Sequence, residues 1–554
     1  MKKAALSVLF IYTAGCSLLV PDITFGEPED AGVDDGTSDQ VVDGDSPAGA
    51  FFVVRTEPLA DAEEVGTRQK IEVEFTEPVD PSTVSADTFQ VMLADGPTVS
   101  SRFELAVEND KAVSLTPLES LGPFREYVIL IGEDVRSING SSLQESTRIA
   151  FTTGEATWTS PQPTEQSSSP AFPPELEMDE RGNGLSVWAQ GEITAGSIDI
   201  AFNEFSPVEG WASARLVGGG PLREIDTPTA MASSGGAVAA WLQPAASNDL
   251  WAGQFRVGSG WSIPERLEVV DEFVSDVDVA AGAAGEAIVV WGQGNTTASL
   301  WSNRYGPDTG WSGPSLVEMN SGVVTAPTVA MAPDGSAIVV WVQENGSFTD
   351  LMASWSSPDG SWVSEETLDR LNSTPLRPTV AMDGLGNGVA LFLQAQAGQR
   401  RIWSNRFTAG IGWAGADTLS DGSGDAFCPV VRFRNDGTGL AAWNQGSGRD
   451  VGVFVVNYST NNGWSEPRRL SDSESNASCP DLALDPAGHA IVVWSQGNEV
   501  QTVWASRMVE GQSPGSPRLI GPGNGGAPQV AMDGLGRGLV VWLEGTDVVG
   551  VRFD

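Results

Sequence analysis

The chain is built on a seventeen-residue segment that occurs eight times, and residues 327–343 are its clearest copy. Each copy carries one aromatic residue near its end, and consecutive aromatic residues lie 48 to 53 positions apart. These residues are Trp188, Trp241, Trp291, Trp341, Phe392, Trp443, Trp494 and Trp542. A period near fifty residues is typical of proteins in which one small structural unit is repeated in an array or a ring.

Each repeat predicts four antiparallel strands. A glycine stands six residues before the aromatic residue in every copy, as a turn with positive φ requires. Apolar runs flank this turn and predict a hairpin, whose first strand usually opens with a proline. A third run alternates in polarity, as at residues 300–305, and a fourth begins near a Gly-Trp or Ser-Trp pair. Four such strands are typical of a β-propeller blade.

The two ends of the repeat region predict how the ring closes. The last repeat ends after its third strand, at residues 548–553, whereas an isolated fourth-strand motif containing Trp158 precedes the first repeat. If the strand around Trp158 completes the last blade, no sheet edge at the junction is left exposed. We therefore predict an eight-bladed propeller over residues 155–554. A seven-bladed ring with one extra repeat is the alternative, and it leaves an edge uncovered.

The N-terminus is typical of a targeting segment. Basic residues at positions 2 and 3 precede an apolar run that is too short to cross a bilayer. Residues 13–16, Thr-Ala-Gly-Cys, resemble the lipobox of bacterial lipoprotein signal peptides, although Thr13 stands where that family usually has Leu. The resemblance implies a signal peptide at residues 1–15, lipidation of Cys16, and anchoring in the outer membrane or at the cell surface. A secretory signal cleaved nearby, giving a secreted protein, is the alternative.

The distribution of charge bears on the tether and on the partners that the protein can bind. Residues 17–54 contain nine carboxylates and neither Lys nor Arg, so we expect residues 16–50 to form an acidic, disordered tether. The whole chain has a formal charge of −43, from 73 acidic and 30 basic residues. This charge argues against nucleic acid and anionic membrane surfaces as partners, and membrane contact is expected only through the lipid anchor.

Residues 51–154 lack the repeat and show short alternating runs, which predict a small β-sandwich. The segments at residues 71–83, 113–117 and 151–153 resemble a bacterial Ig-like domain of the surface-layer (SbsA) type. This resemblance implies an Ig-like fold and a spacer or adhesive role without catalysis. The predicted fold class is therefore all-β, with an Ig-like sandwich followed by the propeller.

Two cysteines occupy equivalent positions in neighbouring repeats. Cys428 and Cys479 are 51 residues apart, and each directly precedes the proline of its repeat. In an oxidising compartment we expect a disulfide that joins the sixth blade to the seventh. Two free, partly buried thiols are the alternative, because equivalent points of adjacent blades could exceed the ~7 Å separation of Cα atoms that a disulfide spans.

Other polar residues offer few chemical sites. The acidic run Asp271, Glu272, Asp276 and Asp278 in the third repeat is the best candidate cation site, with calcium as the candidate ion, although the pattern favours a solvated loop. The sequence requires no cofactor. The single histidine, His489, is expected to be an exposed turn residue, so Ser-His-Asp chemistry is poorly supported.

Two recurring polar positions are best explained by structure. Glutamine stands two residues after the aromatic residue in seven repeats, and aspartate occurs in six of the eight turns. We expect the amides to pair with buried groups and the carboxylates to support the turns.

These observations favour recognition over catalysis. We expect an exported cell-surface lipoprotein whose propeller binds a polysaccharide or an envelope protein through loops on one face. A glycan-active hydrolase that uses carboxylates and a structural envelope component are the alternatives. Two carboxylates with raised pKa values in one cleft would favour the hydrolase.

Overall fold

The structure is a computed structural model. It describes residues 50–554 except 95, 97, 100–101, 193–196, 218–228, 233, 244–247, 296, 319–321, 347, 372 and 473–475. The predicted signal peptide, Cys16 and nearly all of the acidic tether lie outside the described residues. Within the described residues, we find no helix with the length and apolar character needed to cross a bilayer.

The N-terminal part forms a sandwich of two four-stranded sheets. Its strands are Val53–Glu57, Ala62–Val65, Ile71–Phe75, Phe89–Leu93, Phe103–Asn109, Ala112–Pro117, Glu126–Ile131 and Thr147–Thr153, with a 3₁₀ turn at Pro81–Thr83. Alternation places one face of each central strand inside: Ile71, Val73 and Phe75 are buried between the sheets. The predicted Ig-like sandwich is confirmed.

The repeats form eight blades in the described part of the chain, and each blade is one antiparallel sheet. The inner strands are Glu175–Met178, Thr229–Met231, Val274–Ala281, Val323–Met331, Leu376–Met382, Asp425–Phe433, Asp481–Leu484 and Gly525–Met532. The second strands are Gly184–Glu192, Gly236–Gln243, Ala287–Gln293, Ala337–Asn345, Gly388–Gln396, Gly439–Ser447, Ala490–Gln496 and Gly538–Glu544.

The outer strands follow in the same order. The third strands are Ser197–Ser206, Asp249–Arg256, Ser299–Gly306, Phe348–Ser356, Gln399–Thr408, Asp450–Ser459, Thr502–Met508 and Asp547–Phe553. The fourth strands of blades 1 to 3 are split into two short pieces: Gly210–Trp211 and Arg215–Leu216, Gly260–Trp261 and Glu265–Arg266, Gly310–Trp311 and Ser315–Leu316. Those of blades 4 to 8 are Glu366–Thr367, Gly412–Trp413 with Asp417–Thr418, Gly463–Trp464 with Arg468–Arg469, Arg518–Gly521, and Gln162–Pro163.

The ring closes as predicted. Trp158 bridges to Phe553, and Gln162–Pro163 pairs with Val549 and Gly550 of the last blade. The inner strands of neighbouring blades contact each other around the whole circle, including those of blades 8 and 1. The eight-bladed propeller, completed by the strand around Trp158, is therefore confirmed.

The recurring aromatic residues form the core between blades. All eight are at most 1% exposed. Trp291 of blade 3, for example, packs against Val238 and Ala240 of blade 2. Burying one large aromatic side chain at every blade junction stabilises the ring, because indole rings remove large apolar areas from water.

The prolines of the inner strands mark bulges in four blades, whereas Pro174 and Pro480 directly precede the inner strands of blades 1 and 7, as predicted. In blades 4, 5, 6 and 8 the inner strand begins two to four residues before its proline, and its pairing shifts register there. The residue before the proline has φ between 47° and 50°: Ala326, Arg377, Cys428 and Ala527. A bulge leaves one residue out of the ladder, so a residue without an amide proton fits beside it.

The Ig-like domain and the propeller belong to one compact unit, Phe51–Asp554. Leu535, in the hairpin turn of blade 8, is part of the hydrophobic core of the Ig-like domain. Arg537 follows it, donating to the carbonyl oxygen of Ser120 at 2.9 Å and pairing with Glu119 at 3.1 Å and Asp533 at 2.6 Å. A packed interface therefore joins the two folds.

Candidate functional site

The propeller has two distinct ends. At one end lie the hairpin turns between inner and second strands, and we call it the turn end. At the other lie the connections between blades and the turns between second and third strands, and we call it the loop mouth. The Ig-like domain packs at the turn end, against the hairpin turns of blades 7 and 8. The loop mouth is therefore the end of the propeller opposite the Ig-like domain.

The glutamines shared by the repeats are used inside the fold. In blades 3, 4, 6 and 7 the glutamine oxygen accepts a hydrogen bond from the indole N–H two residues earlier, at 2.8 to 3.0 Å. In blade 5 the amide of Gln394 donates to Asp369 and to the Leu371 and Ser373 carbonyls. These amides satisfy buried groups, as predicted, and do not form a ligand-binding ring.

The aspartates of the hairpin turns are also structural. Asp179, Asp383, Asp485 and Asp533 are at most 3% exposed, and each accepts backbone amides of its own turn. Asp334 and Asp436 sit two residues later in their turns and accept the following Ser or Thr amide and hydroxyl. Burial would raise the pKa of Asp485, but hydrogen bonds from His489 and the nearby positive charges outweigh it and hold that pKa below its usual value.

A further recurring group was missed from the sequence. After the fourth strand, a carboxylate accepts the backbone amide of a third strand: Glu268 from Leu250, Glu318 from Leu300, and Asp369 from Leu351. Burial raises the pKa of Glu268 and Asp369. The constant separation of eighteen residues between carboxylate and amide is the signal that could have identified this position. These raised pKa values belong to the framework and indicate no catalysis.

The inner strands enclose a central channel with a cavity of about 630 Å³. Four carboxylates and one guanidinium line it: Glu175, Glu177, Asp278, Asp481 and Arg432. The inner strand of each blade presents a sheet edge to the channel. Two of the acids accept backbone amides at the edge of the next blade. Asp278 accepts the amide of Val329 at 2.8 Å, and Asp481 accepts that of Val530 at 2.9 Å, each from the next blade.

Glu177 differs from these capping acids. It is half-buried in the channel wall, and loss of hydration raises its pKa to about 7. The positive charge of Arg432 opposes this rise, and the negative charge of Asp481 adds to it. Burial also raises the pKa of Asp481, whose carboxylate lies 3.7 Å from Arg432. The channel therefore combines excess negative charge with a carboxyl group that holds a proton near neutral pH.

The structure disperses the acidic run of the third repeat. Asp271 and Glu272 precede the inner strand, Asp276 is exposed at its bulge with φ of 46°, and Asp278 caps blade 4 in the channel. Within the described residues, no group of three or more His, Cys, Asp or Glu side chains is arranged to hold a metal ion. Asp271 and Glu272 lie before the strand, and the bulge takes Asp276 out of the ladder, so these side chains do not share one strand face.

The two cysteines lie at the loop mouth. Cys428 and Cys479 form a disulfide in the structure, with Cα atoms 5.2 Å apart. Equivalent positions of neighbouring inner strands are this close because they converge on the propeller axis. The bulge at Cys428 sets the local direction of its side chain.

The expectation for His489 was wrong. This residue is only 7% exposed, its amide donates to Asp485 at 2.8 Å, and its Nδ1 lies 3.0 Å from the same carboxylate. Its ring packs edge-on against Phe124 of the Ig-like domain. His489 is buried because the Ig-like domain covers its turn, which the repeat pattern alone could not reveal.

Comparison with known families identifies one segment. Residues 48–153 match the family model of the bacterial Ig-like domain. This segment is similar to bacterial Ig-like domains in both sequence and fold. The match spans well under half of the chain and leaves the propeller unassigned. No curated protein sequence matched the chain.

Solved structures share the β-rich fold at low sequence identity. The BP39L lectin from Burkholderia pseudomallei is 12% identical, with 63% of this chain and 99% of that chain covered and a TM-score of 0.43. A PL25 ulvan lyase is 10% identical, with 58% and 90% covered and a TM-score of 0.41. The β-propeller domain of the Trilobed protease from Pyrococcus furiosus is 8% identical, with 63% and 98% covered and a TM-score of 0.37. At these TM-scores the likenesses bear on neither ligand nor activity.

Proposed function

We propose that this protein is an exported, lipid-anchored recognition protein whose propeller binds a polysaccharide at the loop mouth. One observation carries the proposal. The polar residues that the repeats share form hydrogen bonds inside the fold, whereas the residues that differ between repeats lie in the loops and the channel. In a repeat protein, framework positions recur and ligand contacts vary. The anchor at Cys16 and the acidic tether would hold this unit outside the membrane.

The chemistry of the channel supports a polysaccharide more than a protein ligand. Its wall presents hydroxyl and amide groups of Thr328, Thr379 and Gln529 beside the carboxylates. Such groups hydrogen-bond to sugar hydroxyls, and a protein interface would instead need an apolar core of anchor residues. A protein of the cell envelope remains the other partner class, and the binding experiment distinguishes the two.

The test is a glycan-array screen with the chain from Ser17 to Asp554, which retains the compact unit Phe51–Asp554. A fragment that begins at Glu155 is unsuitable, because it would expose Leu535 and Arg537. Saturable binding to one class of glycan is the expected result. Parallel runs with calcium and with chelator test calcium as a cofactor of binding. Absence of binding under both conditions overturns the proposal and directs the search to envelope proteins.

The channel also supports a second candidate, a glycan-active hydrolase. Glycoside hydrolysis uses a pair of carboxyl groups, and Glu177 and Asp481 are two carboxyl groups with raised pKa values that line one cavity. If the natural protein cleaves the glycan that it binds on the array, a reducing-end assay will detect new chain ends. The Glu177→Gln variant should then release none. Binding without release of reducing ends excludes this candidate for that ligand.

A further inference from the structure

Positive charge is concentrated in one part of this acidic protein. Residues 370–469, which make up most of blades 5 and 6, contain ten arginines against seven acidic residues, whereas the whole chain has a formal charge of −43. Five of these arginines belong to segments that end at the loop mouth. We call this group the arginine sector: Arg370, Arg377, Arg400, Arg401 and Arg449.

Three members of the sector gather around one loop, residues 422–428. Arg377 Nη1 lies 3.6 Å from the Sγ atom of Cys428, and the Arg400 guanidinium lies 5.3 Å from the ring centre of Phe427. A methyl group built on Gly422 would overlap Arg401 Nη2, so that guanidinium rests directly on the glycine. Three planar cations thus converge where the connection from blade 5 enters blade 6.

These guanidinium groups form no close ion pairs with the described carboxylates. Within the described part of the chain, none of the five members forms a salt bridge, whereas Arg469 nearby pairs with Asp450 at 2.5 Å. Arg401 Nε is buried and has no hydrogen-bond partner among the described residues. Burial would raise the pKa of Asp421, but hydrogen bonds from Ser423 and Gln445 and the charge of Arg401 lower it. Asp425 accepts the backbone amide of Arg400. In a protein with excess acid, unpaired arginines are the groups available to an external anion.

We propose that the arginine sector binds the carboxylate or sulfate groups of an acidic polysaccharide. This inference rests on the proposed function and specifies its ligand class. Guanidinium forks match carboxylate and sulfate geometry, and repeated anionic groups along a polymer can engage several arginines at once. The net negative charge of the protein repels polyanions at long range, so binding depends on these short-range contacts.

The surroundings of the sector favour a polysaccharide over an acidic protein. A protein partner would need apolar anchors at the centre of its interface. Among the large apolar residues described in residues 370–377, 395–401, 421–428 and 446–450, only Leu376 is strongly exposed, at 46%. The face of Phe427 is covered by Arg400. The surface therefore offers charge and hydrogen-bond donors with little apolar area.

The experiment measures binding of the chain from Ser17 to Asp554 to polygalacturonate, dextran sulfate and neutral dextran of similar length. Binding to one of the two anionic polymers, weakened by added salt, is expected, and the two arms distinguish carboxylate from sulfate recognition. The triple variant Arg377→Gln, Arg400→Gln, Arg401→Gln should bind about tenfold more weakly or worse, since each lost charge-assisted contact weakens binding severalfold. Arg518→Gln removes an exposed arginine of blade 7 and serves as the matched control.

Three results would overturn the inference. Binding to neutral glycans and to neither anionic polymer contradicts the proposed role of the arginine sector but leaves the proposed function intact. Equal binding by the triple variant and the natural chain shows that the anion binds elsewhere. Absence of binding to any glycan contradicts both the proposed function and the proposed role of the arginine sector. If the triple variant is poorly folded by circular dichroism, the single variants Arg377→Lys and Arg400→Lys keep the charge, lose the planar fork, and should still weaken binding.

Discussion

Glu177 is the residue whose protonation links the channel to solution pH. An ordinary glutamate releases its proton near pH 4.5, whereas burial in the channel raises the pKa of Glu177 to about 7. Between these pH values the folded protein holds a proton that the unfolded chain has lost. Stability contributed by this group is therefore complete below pH 4.5 and declines as pH rises to about 7. Glu165, whose pKa burial also raises to about 7, acts in the same direction.

Replacing Glu177 should reduce this decline. We expect Glu177→Gln to resemble the natural protein in urea unfolding at pH 4.5 and to be more stable at pH 8, because the amide never acquires the buried charge. Glu466→Gln, at an exposed site outside the channel, should change the free energy of unfolding equally at both pH values. Identical pH dependence of Glu177→Gln and the natural protein would show that the carboxyl group is fully hydrated.

The bulges of the inner strands are the elements that shape the loop mouth. They place Cys428 beside Cys479 and direct Arg377 toward blade 6. Each bulge costs free energy, because a residue with a side chain pays about 1–2 kcal/mol in the left-handed region. Ala326 and Ala527 have φ of 48° and 50° and are exposed, so their side chains contribute little packing in return.

Glycine should therefore be favoured at these two bulges. We expect Ala326→Gly and Ala527→Gly each to raise the free energy of unfolding by about 0.5–1 kcal/mol, since relief of strain exceeds the added chain entropy. Ala395→Gly, at an exposed strand position with ordinary φ, should lower it by about 0.5–1 kcal/mol. Destabilisation of similar size at all three sites, measured by urea unfolding, would contradict the strained geometry of the bulges.

The propeller and the Ig-like domain share part of one core. Leu535 and Leu385 occupy the same position in the turns of blades 8 and 5, yet Leu535 is 6% exposed and Leu385 is 74% exposed. The difference arises because the Ig-like domain covers the turn of blade 8, where Gly122 lies directly against Leu535. Arg507 adds to this interface, with its guanidinium between the rings of Phe124 and Phe553 at 4.8 and 4.6 Å.

This pair of leucines tests the interface. Leu535→Ala should lower the free energy of unfolding by about 2–5 kcal/mol, because it leaves a cavity in a core that spans both folds. Leu385→Ala should change it by less than about 0.5 kcal/mol, because that side chain is already in water. Equal effects of the two variants on thermal or urea unfolding would mean that the domains separate in solution.

Three sequence features were enough to predict the eight blades and their closure: the repeat period, the turn glycines and the isolated fourth-strand motif around Trp158. These features are local, since hydrophobic alternation and turn chemistry act over a few neighbouring residues. The same local reasoning predicted structural roles for the glutamines and the turn aspartates, because a side chain that recurs from blade to blade has similar neighbours in each.

Contacts between distant segments determine the features that the sequence did not predict: the channel charges, the bulges, the burial of His489 and the arginine sector. Asp278 and Asp481 face one cavity only because the ring brings blades 3 and 7 around a common axis. Likewise, Arg377 and Arg400 meet residues 427–428 because neighbouring blades pack side by side. Residues that differ between repeats have surroundings set by the assembled ring, so no local pattern could specify their roles.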